Sequence, residues 1–538
     1  MVRNIAIACA LLHISGVACF SFLAPGVMRP AISARSNTLA RKPHPQTRSG
    51  IFMQSTVQDW IVDNEKDADE LQSWDSREKF NFKKQWYPLA ATEFLDKKKP
   101  HAIQLFGNDL VMWYDGTADK WNVFQDACPH RLAPLSEGRI EEDGTLLCSY
   151  HGWRFDSKGK CTQIPQANEK QANALMSSKR ACALPFPTME AQGLLWVWGE
   201  QGEPGSDAAI ESALKSPNLI SELEDPELKG RAQQLTWSVR DMPYGWDFFF
   251  ENVLDPAHVT VSHHGIVGNR YTSPSFFRME TRRKATAEGG FSHAITFDKT
   301  PPLGESSETV QEFLPPTMVR IKSKYANGCQ SLLALYATPT KPGYVRHIGC
   351  QVLVKGDDGA LAPGLGFFAL PMPKWLNHVL ASLFLHQDMV LLHHQEKILA
   401  NAGYHNMEGS TERYGEKTCL LQPQDKGVAF FRNWLRVFAN GGIPWKEGTS
   451  ALPPREFDKR KLFDVYNAHT KDCKVCQDAV KNLKIARNVF LGLTFVPVAL
   501  SHGLVALSSS LFFGLVALGL HKFIKLFYVY EFEHAYND

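Results

Sequence analysis

Four residues in two short clusters constrain this chain more than any others: Cys128-Pro129-His130 and, seventeen residues further on, Cys148-Ser149-Tyr150-His151. The pattern CxH, x17, CxxH demands that two distant segments share one metal centre. Two thiols and two imidazoles suit a tetrahedral zinc ion. They equally suit a [2Fe-2S] cluster in which one iron takes the thiolates and the other the imidazoles, an exchange of anionic for neutral ligands that raises the reduction potential. An electron relay is the first expectation.

A second motif follows. Asn252, Asp255, His258 and His263 spell NxxDxxHxxxxH. Residues five apart miss a common helix face by about 140°, so a helix end or kink near Pro256 is needed for the two imidazoles to converge. Two histidines and one carboxylate on a triangular face form a mononuclear iron site, with the opposite positions open.

CPHR followed by CSYHGW resembles the two cluster loops of Rieske oxygenases, and NxxDxxHxxxxH resembles their iron-binding segment, in the expected order. The resemblance implies that Cys128, His130, Cys148 and His151 hold a [2Fe-2S] cluster while His258 and His263 hold mononuclear Fe(II). The family's third ligand is an acid on a helix more than a hundred residues later. Asp388 in Gln387-Asp388-Met389 is the best match, with Glu396 in reserve. The resemblance also gives Asp255 a role, a hydrogen bond to a cluster histidine of the neighbouring subunit in a head-to-tail homotrimer. Asp255 could equally cap the helix bearing His258, and Asn252 could orient the same site or be only a cap.

Composition agrees. The chain has 538 residues, 44% of them hydrophobic, enough for two or three folded units. A net charge of +2 without basic aromatic-interleaved patches gives no reason to expect nucleic acid. Eleven irregularly spaced cysteines do not read as a disulfide framework, so a reducing compartment is expected.

Residues 1–50 contain no Asp or Glu; an apolar run is followed by Arg29, Arg35, Arg41, Lys42 and Arg48 among Ser, Pro and Thr. This is a signal peptide joined to a transit-like segment, and it resembles the bipartite leaders of plastid proteins in algae with secondary plastids. A simple secretory signal with a basic linker is the alternative.

The expected fold class is α+β. An antiparallel β Rieske domain occupies residues 80–200, with strands such as 110–114 and 194–198. Residues 201–235 read as a linker. A helix-grip-like catalytic domain spans 233–470, with strands near 318–326, 331–337 and 346–354 and helices at 247–264 and 375–402. Among its residues, Trp246, Phe248, Phe249 and Phe250 read as core, and Cys161, Cys182, Cys329, Cys350 and Cys419 as buried structural thiols.

Residues 471–486 form a CxxC linker with Cys473 and Cys476, which could close a disulfide or hold a metal; one pair without a second is weak evidence for zinc. Residues 488–520 lack Asp, Glu, Lys and Arg. As one helix they would extend roughly 50 Å, beyond a hydrocarbon core of about 30 Å. A hairpin of transmembrane helices at 489–507 and 511–529, turning at 508–510, fits better. Lys481, Lys484, Arg487, Lys522 and Lys525 then place both ends on one side.

A CxxC before a hydrophobic tail resembles the plastid pheophorbide a oxygenase-like family, with its translocon-associated and protochlorophyllide-oxidising members. The resemblance implies electrons from ferredoxin, dioxygen as co-substrate, possible exchange of the CxxC with thioredoxin, and a catalytic head facing the stroma from a thylakoid or inner envelope membrane. The implied substrate is a chlorophyll-derived tetrapyrrole, with ring opening of pheophorbide a first. Hydroxylation or oxidation of a chlorophyllide, protochlorophyllide or phyllobilin is the alternative. A reading of another class, a redox-sensing or import-associated membrane protein working through the CxxC, would leave His258 dispensable.

Overall fold

The computed structural model describes residues 73–75, 77–298, 308–361, 365–366, 369–403, 414–420, 422–500 and 503–537. The leader expected at residues 1–50 lies outside them.

The first part is built from short strands: β1 (Trp86–Ala91), β2 (His101–Leu105), β3 (Asn108–Asp115), β4 (Lys120–Gln125), β5 (Arg139–Ile140), β6 (Leu146–Leu147), β7 (Arg154–Phe155), β8 (Cys161–Gln163), β9 (Pro185–Phe186), β10 (Thr188–Ala191) and β11 (Leu194–Trp198). They pair antiparallel in the orders β1-β11-β10, β2-β3-β4-β9 and β5-β6-β7-β8. Val111 and Trp113 of β3 and Phe124 of β4 are apolar enough to be covered from both sides. With Leu146 and Phe155 they make the core onto which Cys128 and Cys148 are packed.

Residues 201–235 are more than the expected linker. They carry helices Asp207–Leu214 and Ser221–Glu224 and the strand β12 (Ala232–Gln234). The reason is that Ala208 and Ile220 interrupt the polar text and are buried in the shared core.

The second part is a large antiparallel sheet gripping helices. After β12 come β13 (Ser238–Met242), β14 (Phe277–Thr286), β15 (Gly290–Phe297), β16 (Glu308–Leu314), β17 (Met318–Lys324), β18 (Gln330–Lys341) and β19 (Tyr344–Val354), in the order β12-β19-β18-β17-β16-β15-β14 with β13 also on β19. In β16, Thr309, Gln311 and Phe313 are buried at every second position, the period of a strand. The helices that frame the site are α1 (Trp246–Val253), the four-residue α2 (Val259–Ser262), α3 (Lys374–Asn401) and α4 (Lys426–Val437). Val379 and Leu383 of α3 pack with Leu332, Ile348 and Val352 of the sheet. Trp246, Phe248, Phe249 and Phe250 are core, as expected, and of the five cysteines expected inside, Cys161, Cys329 and Cys350 are buried, Cys182 is half-buried and Cys419 is exposed. The two parts meet through backbone bonds from Phe106 and Gly107 to the carbonyls of Pro339 and Thr340 at 3.1 and 2.7 Å.

The tail differs from expectation in two respects. The CxxC does not sit in a linker: Cys473 caps α5 (Lys474–Leu493), which runs on into α6 (Val496–Leu500) before α7 (Leu504–Ile524). The turn precedes Leu504 and does not use residues 508–510. Gly503 takes φ +114°, a conformation open to glycine, and the Ser508 hydroxyl bonds back to the Val505 carbonyl at 3.0 Å, which lets serine stay helical. Lys474–Leu500 and Leu504–Phe527 are long and apolar enough to cross a membrane. They run antiparallel, with Phe490 beside Phe513 and the Lys484 ammonium on the Tyr528 hydroxyl.

Candidate metal centres

The two cysteine loops are copies of one another. Cys128 N–H bonds to Ala133 O and Leu132 N–H to Cys128 O, both at 2.8 Å; Cys148 N–H bonds to Trp153 O and Gly152 N–H to Cys148 O, both at 2.9 Å. The fifth residue of each loop is left-handed, Leu132 at φ +60° and Gly152 at φ +72°. These turns push the thiols inward, where both are buried, and turn His130 outward into solvent. The imidazoles of His130 and His151 face each other at 4.7 Å, and Trp153 stacks flat on His130 at 4.6 Å. Burial raises the Cys128 thiol to about 12, so a metal would have to displace its proton.

The second centre forms where α1 ends. The chain leaves helical geometry after Leu254, turns through Pro256 and re-enters a helix at Val259; His263 then lies beyond α2, with φ −89° and ψ 38°. That break brings His258 and His263 together as their spacing required. Asp388, in the middle of α3, completes the group: its Oδ2 is 3.1 Å from His263 Nε2 and 3.7 Å from His258 Nε2. The three donor atoms lie within 4.8 Å of one another. Burial alone would raise the Asp388 carboxyl, but the His263 hydrogen bond, both imidazoles and the Ser262 hydroxyl outweigh it and hold the group below the usual range.

The outer contacts fix both rings. His258 Nδ1 meets the Asp255 carbonyl at 2.5 Å, and His263 Nδ1 meets Gln387 Oε1 at 3.1 Å. Each Nδ1 thus faces an oxygen acceptor, which turns both Nε2 atoms to Asp388, where they would ligate a metal once free of a proton. The Gln387 amide is itself oriented, since its Nε2 donates to His264 O at 3.3 Å.

The sequence matches the Rieske [2Fe-2S] domain family over residues 85–179 and the pheophorbide a oxygenase family over residues 313–406. It is 33% identical to the chloroplastic pheophorbide a oxygenase of Oryza sativa subsp. japonica over 95% of either chain. The chain belongs to the pheophorbide a oxygenase family of Rieske oxygenases. It is also 32% identical to the chloroplastic flavonoid 8-hydroxylase 2 of Ocimum basilicum, covering 85% of this chain and 87% of the relative. To the protochlorophyllide-dependent translocon component 52 of Arabidopsis thaliana it is 30% identical, covering 76% and 75%.

A Rieske oxygenase works with a [2Fe-2S] cluster and a mononuclear iron, and the donor sets present fit both groups. Cys128, His130, Cys148 and His151 could hold two irons, with both thiols buried inside and the paired imidazoles on the outer side. His258, His263 and Asp388 are the two-histidine, one-carboxylate set of a non-haem iron.

The remaining expected residues divide clearly. Asp255 stands next to the triad, partly exposed, its carboxylate capping Ala257 N–H at 2.8 Å and lying 3.8 Å from His258 Nδ1. Asn252 lies in the last turn of α1, where its carbonyl accepts Asp255 N–H at 3.1 Å. Glu396, the reserve ligand, is elsewhere, buried on Lys397 and the Gly245 N–H at 2.7 and 3.0 Å. Gln387 and Ser262 were not foreseen, although each adjoins a foreseen ligand. The C-terminal residues were not foreseen either: His534 Nε2 reaches Gln387 O at 2.7 Å and Asn537 donates to His264 O at 2.9 Å, so the chain returns from its apolar hairpin to brace the triad. The CxxC gained two unforeseen neighbours, His378 and His469.

Proposed function

We propose that this oxygenase takes electrons from ferredoxin and acts on a chlorophyll-derived tetrapyrrole, with oxygenolytic opening of the pheophorbide a macrocycle as its reaction. The observation that carries the reading is a two-histidine, one-aspartate triad in a chain similar to a pheophorbide a oxygenase over nearly its whole length. Cys128, His130, Cys148 and His151 would hold the cluster, which would supply single-electron transfer, and His258, His263 and Asp388 would hold the iron, which would supply dioxygen activation. The chain's own part is positioning. The Asp255 carbonyl and Gln387 hold the imidazole tautomers, Ser262 orients the carboxylate, and the three ligands on one side leave the other side for dioxygen and substrate.

Asp255 joins the iron site to His130 or His151 of a neighbouring subunit in a head-to-tail homotrimer. In support, the cluster tip is solvent-facing and apolar, with Leu132 and Tyr150 74% and 61% exposed. The α5–α7 hairpin anchors the protein in a plastid membrane with the catalytic head in the stroma, in the secondary plastid of an alga. The chloroplastic naming of the relatives supports the plastid, and the two apolar helices support the membrane anchor. Thioredoxin exchange at Cys473 and Cys476 would need both thiols exposed, and both are buried.

A second reading, hydroxylation or oxidation without ring opening on a chlorophyllide, protochlorophyllide or phyllobilin, is favoured by the similarity to a hydroxylase at 32% identity. The test is incubation of the iron-loaded protein with reduced ferredoxin, dioxygen and a panel of pheophorbide a, chlorophyllides, protochlorophyllide, bilins and a flavone, with products read by mass spectrometry. Ring-opened pheophorbide a is the expected product. A hydroxylated pigment selects the second reading, and turnover of the flavone alone overturns both.

A further inference from the structure

The CxxC has a second pair of donors that only the fold supplies. His378 comes from the first turns of α3, His469 from the loop before α5, Cys473 from the cap of α5 and Cys476 from its first turn. All four side chains are buried, at 3%, 7%, 3% and 1% exposure. Their donor atoms lie within 4.8 Å of one another. His378 Nδ1 is 3.2 Å from Cys476 Sγ and 3.7 Å from Cys473 Sγ, while His469 Nε2 is 3.1 Å from His378 Nδ1 and 3.3 Å from Cys476 Sγ.

We propose that His378, His469, Cys473 and Cys476 bind one zinc ion as a closed Cys2His2 site, separate from the two iron centres. Bonds of about 2.0–2.1 Å to nitrogen and about 2.3 Å to sulfur in a tetrahedron imply ligand-to-ligand edges of roughly 3.3–3.8 Å. The four measured separations fall in or just below that range. The outer contacts point the same way. His378 Nε2 meets the Trp237 carbonyl at 3.0 Å, which spends the ring's proton there and turns the Nδ1 lone pair to the centre. Two thiolates and a dication sum to zero charge, the condition for a buried ionic site. Cys476 also lies where the amino end of a twenty-residue helix favours a thiolate.

The site gives the CxxC a structural task. It clamps α3, which carries Asp388 about 15 Å further along, to the helix that begins the apolar hairpin. The metal is closed on four protein ligands, the form of a structural zinc.

The test is metal analysis of the purified full-length protein. One zinc per chain is expected alongside the irons. It should be retained in Cys148→Ser, which damages the cluster site, and lost in Cys476→Ser and His469→Ala with the cluster's visible spectrum unchanged. If those variants do not fold, the unaltered protein still decides. Cobalt exchanged into it should give the intense visible bands of a tetrahedral thiolate site, and Cys473 and Cys476 should resist alkylation until a chelator is added. Absence of zinc, no cobalt uptake, and Cys473 and Cys476 either alkylated freely or recovered as a disulfide would overturn the proposal. None of these readouts depends on which substrate is oxidised.

Discussion

Arg432 of α4 should control the iron site without touching it. Its guanidinium donates to Glu251 and to Asp247 of α1, at 2.7 Å in each case, with all three side chains buried. Glu251 also accepts from Gln395 of α3 at 2.8 Å. One cation thus holds together the helix leading to Asp255 and His258 and the helix bearing Asp388. Arg432→Met leaves two carboxylates buried without their cation, a defect that costs about 3–5 kcal/mol. At about 2–4 °C per kcal/mol for a unit of this size, the melting temperature should fall by roughly 6–20 °C. Thermal melts followed by tightly bound iron and by cluster absorbance provide the assay: the mononuclear iron should be lost first, with the cluster spectrum intact. Adding Asp247→Asn and Glu251→Gln to Arg432→Met removes the stranded charges and should recover more than half of the loss. A shift below about 2 °C in the single variant, or a triple variant as damaged as the single one, would refute the argument.

Two further outcomes are expected. His293 on β15 is buried against Phe430 at 4.6 Å with neither ring nitrogen hydrogen-bonded among the described residues, and burial lowers its pKa from 6.5 to about 3. The unfolded chain therefore takes up the proton first as pH falls, so the stability present above pH 6.5 is lost towards pH 3, about 2 kcal/mol of it between pH 7 and 5; melts of His293→Phe at those two pH values should show a flatter dependence. For Asp255→Asn, turnover should fall about 10- to 100-fold while both metals stay bound and the cluster, once reduced, is reoxidised slowly by dioxygen and substrate in stopped flow. Reoxidation at the unaltered rate would confine Asp255 to its capping role.

The sequence was legible where ligands are neighbours and opaque where they are not. CxH and CxxH announce a metal by local spacing, and Pro256 announces the break that lets His258 and His263 converge. Asp388 could be preferred to Glu396 only by resemblance. The structure separates them physically, since Asp388 Oδ2 stands 3.1 Å from His263 Nε2 whereas Glu396 is turned to Lys397 and Gly245. His378 and Cys476 are 98 residues apart and carry no shared spacing, so the CxxC looked unaccompanied. The hairpin turn was misplaced because three consecutive serines suggest a loop, yet a back-bonded serine is compatible with a helix and the left-handed Gly503 is a stronger stop.

The contacts of α3 carry the larger argument. Along this one helix lie His378 of the proposed zinc site, His386 stacked on Tyr530, Gln387 whose carbonyl meets His534, and Asp388 of the iron triad. Tyr530 and His534 follow α7, and Cys476 belongs to α5, so both legs of the apolar hairpin are tied to the helix that supplies the third iron ligand. An apolar hairpin joined to the head by a slack linker would make no contact with the helix that supplies Asp388. Here the chain leaves α3's surroundings at Cys476, crosses the hairpin and returns to α3 at His534, so packed side chains and hydrogen bonds join both legs of the hairpin to the helix that carries Asp388.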